Sequence, residues 1–192
     1  MTDFDLGTLL ILTGCIFCCA LYFDLRYQRI PNQLCLLALL SGILLQTGFG
    51  QWQGLVTACY GAGLALLLLL PAFYFRILGA GDVKLMVGVG ALLGPQFLLW
   101  SLAYAIVFGA VTSVLLAAHK VGWQGIKATV IRYYHSLVLR QYFRPDNNEA
   151  AAQRVPYAPA LALGWLWACY LNPQVSTLYA ALSFQIRSWI YL

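Results

Sequence analysis

Six acidic residues stand in this 192-residue chain, and two of them are placed to do chemistry. Asp3 and Asp5 lie at the amino terminus, and Asp146 and Glu149 lie in a polar stretch, Pro145 to Glu149, that reads as a loop tip. Asp24 and Asp82 instead abut long apolar runs. A carboxylate at membrane depth is costly and usually marks function. Two carboxylates that meet cannot both ionise comfortably, so one keeps its proton and the pair shares it. Such a pair holds a base for water and an acid for a peptide bond in one place. Arg26 and Lys84 each follow an aspartate by two positions. On a helix that is a rotation of about 200°, which turns the cations away toward lipid phosphates and leaves the carboxylates free to face one another. Two solvated aspartates at helix edges are the alternative.

Other chemistries find little support. His119 and His135 lie in a basic section, and no G-x-S-x-G, H-E-x-x-H or Walker pattern occurs. The six cysteines all lie in apolar stretches; Cys15-x-x-Cys18 has metal-binding spacing but no second pair nearby. No zinc site, disulfide framework or cofactor is expected.

The elements that must carry the two aspartates belong to lipid. The chain is 62% apolar and 9% charged, with mean hydropathy +0.78. A water-soluble domain carries about 25% charged residues. Apolar runs predict an all-α bundle with spans near 6–23, 33–47, 54–75, 83–93, 97–118 and 156–171. The tail over 174–192 reads as a seventh span or an interfacial helix. The fourth stretch is short, so it must tilt little, thin the bilayer or start inside the membrane. A glycine-rich turn, Gly48 to Gly54, separates the second and third spans, and the fourth ends at Gly94-Pro95. The amino terminus is acidic where a secretion signal is basic, so the first span is read as retained. Residues 1–192 form one expected membrane domain, with a cytoplasmic loop over about 119–155. Within it, Ile126, Val130, Tyr133, Leu137 and Val138 recur at helical spacing over 122–142, as in an amphipathic helix in the headgroup layer.

Charge sets the orientation. Arg26, Arg29, Arg76, Lys84, Lys120, Lys127, Arg132, Arg140, Arg144 and Arg154 are ten of the eleven basic residues, and all fall in odd-numbered loops. By the positive-inside rule those loops are cytoplasmic and the amino terminus is outside. The net charge of +5 is thereby assigned to lipid, with no nucleic-acid partner expected. Gly79 and Gly81 carry no side chain, which would let another backbone approach Asp82.

Three segments then match a known pattern. Gly79-Ala80-Gly81-Asp82-Val83-Lys84-Leu85 resembles the G-x-G-D-x-K-(L/M) signature of type IV prepilin peptidases. Asp24 to Asn32 resembles their first-aspartate motif, D-x-x-x-x-x-I-P-N, and Pro156 to Gly164 is similar to their P-(F/Y)-x-P-x-L-x-x-G motif. The resemblance implies a membrane aspartyl endopeptidase. Its catalytic pair would be Asp24 and Asp82, and Gly79, Gly81, Lys84, Pro156 and Pro159 would shape the substrate site. Its substrate would be a prepilin or pseudopilin whose basic leader is cut after glycine at the cytoplasmic face of the inner membrane, as in type IV pilus assembly and secretion. Larger members add paired C-x-x-C motifs and an N-methyltransferase activity; this chain resembles the short, peptidase-only branch.

Two rivals stay open. Pro159-Ala160-Leu161 also spells the motif of presenilin and signal-peptide-peptidase proteases, although Phe23 precedes Asp24 where those proteins have tyrosine. A proton-coupled transporter would use membrane aspartates too. Its usual internal repeat is not evident here.

Overall fold

The computed structural model describes residues 3–75, 78–139, 157–178 and 180. Among these residues the fold is all-α, with four helices: α1 (Asp3–Tyr27), α2 (Asn32–Tyr74), α3 (Ala80–Leu139) and α4 (Ala158–Leu171). A further helical turn covers 173–178. The remaining tail, the loop tip at 145–149 and residues 140–142 of the expected amphipathic helix lie outside the described residues.

Three stretches are long and apolar enough to cross a membrane: Asp5–Tyr27, Asn32–Tyr74 and Ala80–Leu115; Ala158–Leu171 is apolar but shorter. The outward faces fit that solvent, since Ile11, Leu44, Leu67 and Ile106 are each at least 70% exposed. Lipid solvates such a surface where water would drive aggregation. The chain is a membrane protein.

The two longest helices are not straight rods. α2 breaks at Gln51, and α3 breaks at Gly94 and again at Gly122. Contacts show which way each limb then runs. Ala38 meets Gly88, and Gly42 meets Ala91 and Leu92, so limb 32–50 runs parallel to limb 80–93. Thr57 meets Gly94 and Gly61 meets Gly90, so limb 52–74 runs back, antiparallel to both. Limb 95–121 returns in turn, because Gly109 reaches the start of α4 at Tyr157 and Ala160. Small residues make these crossings close. Ala38, Ala58, Ala65 and Ala91 are fully buried, and without a hydrophobic drive between helices, close van der Waals packing through small residues supplies the association.

The expected turn over Gly48 to Gly54 contracts to a single residue. Helix continues to Gly50, and the reversal falls on Gln51, at φ 49° and ψ −130°. Gly48 and Gly50 face open space; Gly54 is the glycine the turn requires, because a Cβ there would overlap the Gln46 carbonyl. At the next reversal the sequence reading and the structure agree. Gly94 takes φ 80°, a left-handed value that suits glycine, and Pro95 opens the following limb, where its missing N–H costs little. The break removes the helical partner of the Leu92 carbonyl. Buried Gln46 replaces it, donating from Nε2 at 2.7 Å.

Limb 80–93 is short, as the sequence suggested. At about 1.5 Å per residue its fourteen residues reach about 21 Å, against a hydrocarbon core of about 30 Å. Limb 95–121 runs past the expected boundary at 118. The basic section beyond Gly122, at φ 69°, continues as helix to Leu139, with Lys127, Ile131, Tyr134, His135 and Val138 exposed.

Candidate active site

Asp24 sits in the last turn of α1. The helix ends because Gln28 adopts the left-handed conformation (φ 51°) while donating its N–H to the Asp24 carbonyl at 2.9 Å. Extended Pro31 then opens α2, its carbonyl accepting from Leu34 and Cys35. Asp24 is 8% exposed. Its Oδ2 accepts the N–H of Ala158 at 3.3 Å, across 134 residues of sequence. That donor belongs to the first turn of α4, whose N-cap residue Tyr157 supplies no side-chain cap. A helix start leaves its first N–H groups without partners and carries partial positive charge, so a carboxylate is well placed there.

Asp82 occupies the first turn of α3 and is 9% exposed. Its Oδ2 accepts the N–H of Gly79 at 3.2 Å, while the Gly79 carbonyl accepts from Val83 at 3.3 Å. This is the return half of a capping box, with an acid three residues into the turn reaching back to the cap N–H. Each aspartate therefore faces a helix N-terminus: Asp82 its own, Asp24 that of α4. Both carboxyls are buried at the same end of the bundle, one in the last turn of α1 and one in the first turn of α3.

Gly79 and Gly81 make room in different ways. At Gly81 another segment does come close, the Ile30 backbone nitrogen lying 3.6 Å from where a Cβ would stand, whereas at Gly79 the neighbour is the Asp82 carboxyl. A Cβ on Gly79 would stand 3.0 Å from Asp82 Oδ2, and one on Gly81 would stand 3.1 Å from the Ile30 side chain. The glycines make room for the carboxyl itself and for Ile30. Lys84 departs from expectation. Its Nζ donates to Asn32 Oδ1 at 2.9 Å, because side chains on a helix lean toward its N-terminus, which here faces the start of α2. Pro159 lies in the first turn of α4; Pro156 lies outside the described residues.

Sequence reasoning missed three participants. Ala158 contributes only a backbone N–H, although Pro159 marked a helix start there. Asn32 and Cys35 face the Gly79–Lys84 turn; the Cys35 thiol donates to the Gly81 carbonyl at 3.7 Å. The other segments thus meet at one end of the bundle: the end of α1, the start of α2, the start of α3 and the start of α4.

Compared with known proteins, residues 10–114, more than half of the chain, match a family model described as the type IV leader peptidase family. No curated protein and no solved structure matches the chain.

Proposed function

Because the chain belongs to the type IV leader peptidase family, and is therefore a peptidase, we propose that it cleaves the short basic leader of prepilins or prepilin-like proteins with Asp24 and Asp82 as a catalytic pair. The cut follows a glycine at the border between the leader and an apolar helix. It takes place at the cytoplasmic face of the inner membrane, with the amino terminus of the chain outside. Six spans, forming one domain, carry the site.

The observation that supports this reading most is that two buried carboxyls lie at one end of the bundle, one at the end of α1 and one at the start of α3. In such a pair one group is ionised and one protonated. The ionised carboxylate takes a proton from a water molecule as the water oxygen adds to the scissile carbonyl carbon. The protonated partner gives its proton to the carbonyl oxygen. When the tetrahedral adduct collapses, the carbonyl re-forms, the C–N bond breaks, and the first carboxyl delivers its proton to the departing amine. The adduct's O–H proton returns to the second carboxyl, and the pair is restored.

The motif shared with presenilin-type proteases, Pro159-Ala160-Leu161, has a local explanation: Pro159 lies in the first turn of α4, and Ala160 and Leu161 are buried core residues. The family match favours a leader peptidase over that reading and over a transporter.

The test is cleavage of a prepilin in membranes. Asp24→Asn and Asp82→Asn are each expected to lower turnover by at least about 100-fold while the protein still inserts. Asparagine keeps an oxygen for the N–H of Ala158 or Gly79, so the folds of both variants should persist. Turnover at the parental rate in either variant would end the dyad reading.

A further inference from the structure

The Asn32–Lys84 hydrogen bond lies between the two halves of the proposed site. Asn32 is the first residue of α2, and only the connector through Gln28 and Pro31 separates it from the last turn of α1, where Asp24 sits. Lys84 lies two residues beyond Asp82 in the first turns of α3. The bond joins segments 52 residues apart at 2.9 Å, on an exposed edge. Beside it, Cys35 donates to the Gly81 carbonyl, and Ile30 packs on the Gly81 Cα. The turn that carries Asp82 is thus held on one side by three residues of the segment that follows Asp24.

We propose that Asn32 is a positioning residue, which acts through Lys84 to fix the spacing between the Asp24 and Asp82 carboxyls. The inference rests on the reading of those aspartates as the catalytic pair. Two features argue that the bond serves geometry more than stability. It is exposed, so water replaces either partner readily and the net stabilisation is small. It is also the only described hydrogen bond between two side chains that joins the start of α2 to the first turns of α3, since Cys35 bonds a backbone carbonyl, and it acts on the element whose placement governs the reaction. Catalysis is steep in such placement, where a shift of about 1 Å can cost about 100-fold in rate.

The experiment is a double-mutant cycle on prepilin cleavage in proteoliposomes, with thermal unfolding followed in parallel. Asn32→Ala and Lys84→Ala are each expected to lower kcat about tenfold with KM held within about twofold, the signature of an interaction that matters to the transition state. The double variant should fall no further. Asn32→Asp, which keeps the acceptor oxygen, should retain most of the parental kcat, whereas Asn32→Leu should behave as Asn32→Ala does. Unfolding temperatures should stay together across the series. Losses that multiply in the double variant, that appear in KM alone, that Asn32→Asp fails to rescue, or that follow a fall in unfolding temperature would overturn the positioning role. A parental chain that cleaves no prepilin, or one whose Asp24→Asn variant remains active, would instead remove the proposed function.

Discussion

A single methyl group placed on Gly88 tests whether the packing of α2 against α3 governs the site. Gly88 lies six residues after Asp82 on the same limb, and a Cβ there would stand 2.6 Å from the Ala38 Cβ, 3.1 Å from the Leu39 nitrogen and 3.2 Å from the Ala38 carbonyl carbon. Non-bonded carbons pack at about 3.5–4.0 Å, so the deficit is about 1 Å. None of the obstructing atoms can rotate away, since two are backbone and the third is a Cβ. The limbs must part. In Gly88→Ala the overpacking should cost about 1–3 kcal/mol of stability, and an Asp82 displaced by about 1 Å should lose roughly 10–100-fold in turnover. Gly63 supplies the control. It lies on limb 52–74 and faces open space, so Gly63→Ala should leave turnover unchanged and gain about 0.5–1 kcal/mol from lower chain entropy in the unfolded state. The rescue is to transfer the methyl across the interface. Ala38→Gly combined with Gly88→Ala removes the closest clash and should recover much of the lost turnover, though not all, because Leu39 remains close. Prepilin cleavage and thermal unfolding in detergent would be measured on the four proteins. Parental turnover and parental stability in Gly88→Ala would refute the account of how limb 80–93 is held.

Other perturbations probe separate contacts. Gln46→Met should destabilise the protein by about 1–3 kcal/mol, because the Leu92 carbonyl is buried beside the break at Gly94 and loses its donor; unchanged thermal unfolding would count against that role. Gln28→Gly should stabilise by about 0.5–1 kcal/mol, since it relieves a left-handed side-chain residue at the end of α1, and the same unfolding assay decides it. The pH–rate profile of cleavage should be bell-shaped: at low pH both carboxyls are protonated and no base remains, and at high pH both are ionised and no acid remains. A profile that rises and never falls would exclude proton sharing.

The sequence disclosed the aspartates because they interrupt long apolar runs, and an interruption of that kind is visible without coordinates. Gly94-Pro95 was legible for a related reason, as glycine permits the left-handed turn and proline opens the limb that follows. Gln51 was not. A glutamine has no preference for positive φ, and the close approach of Gly54 to the Gln46 carbonyl across that reversal is encoded by no local pattern. The clasp of Asp24 on Ala158 was hidden too, since a backbone N–H leaves no mark on residue type. Lys84 misled in an instructive way. A lysine near a membrane edge is reasonably sent to lipid phosphates, but Asn32, in the motif of the other aspartate, competes for it at hydrogen-bond range.

The direction of each limb explains why three segments so distant in sequence share one end. From Asp24 the chain leaves along limb 32–50, reverses at Gln51 and returns along limb 52–74, so Asp82 opens α3 at the end where α1 closed. Limb 80–93 leaves again, Gly94 reverses it, and limb 95–121 returns the chain to the level of Tyr157 and Ala158. Two paired reversals, each an out-and-back, therefore place the carboxyl from α1, the carboxyl from α3 and the helix start from α4 together. Only the parity of the crossings matters to this result, and the reversals at Gln51 and Gly94 set it. Loss of either one would leave an odd number of crossings and would send the next motif to the far end. A substitution that straightens α2 at Gln51 would thus disable the site from its opposite pole, with every residue near the aspartates intact.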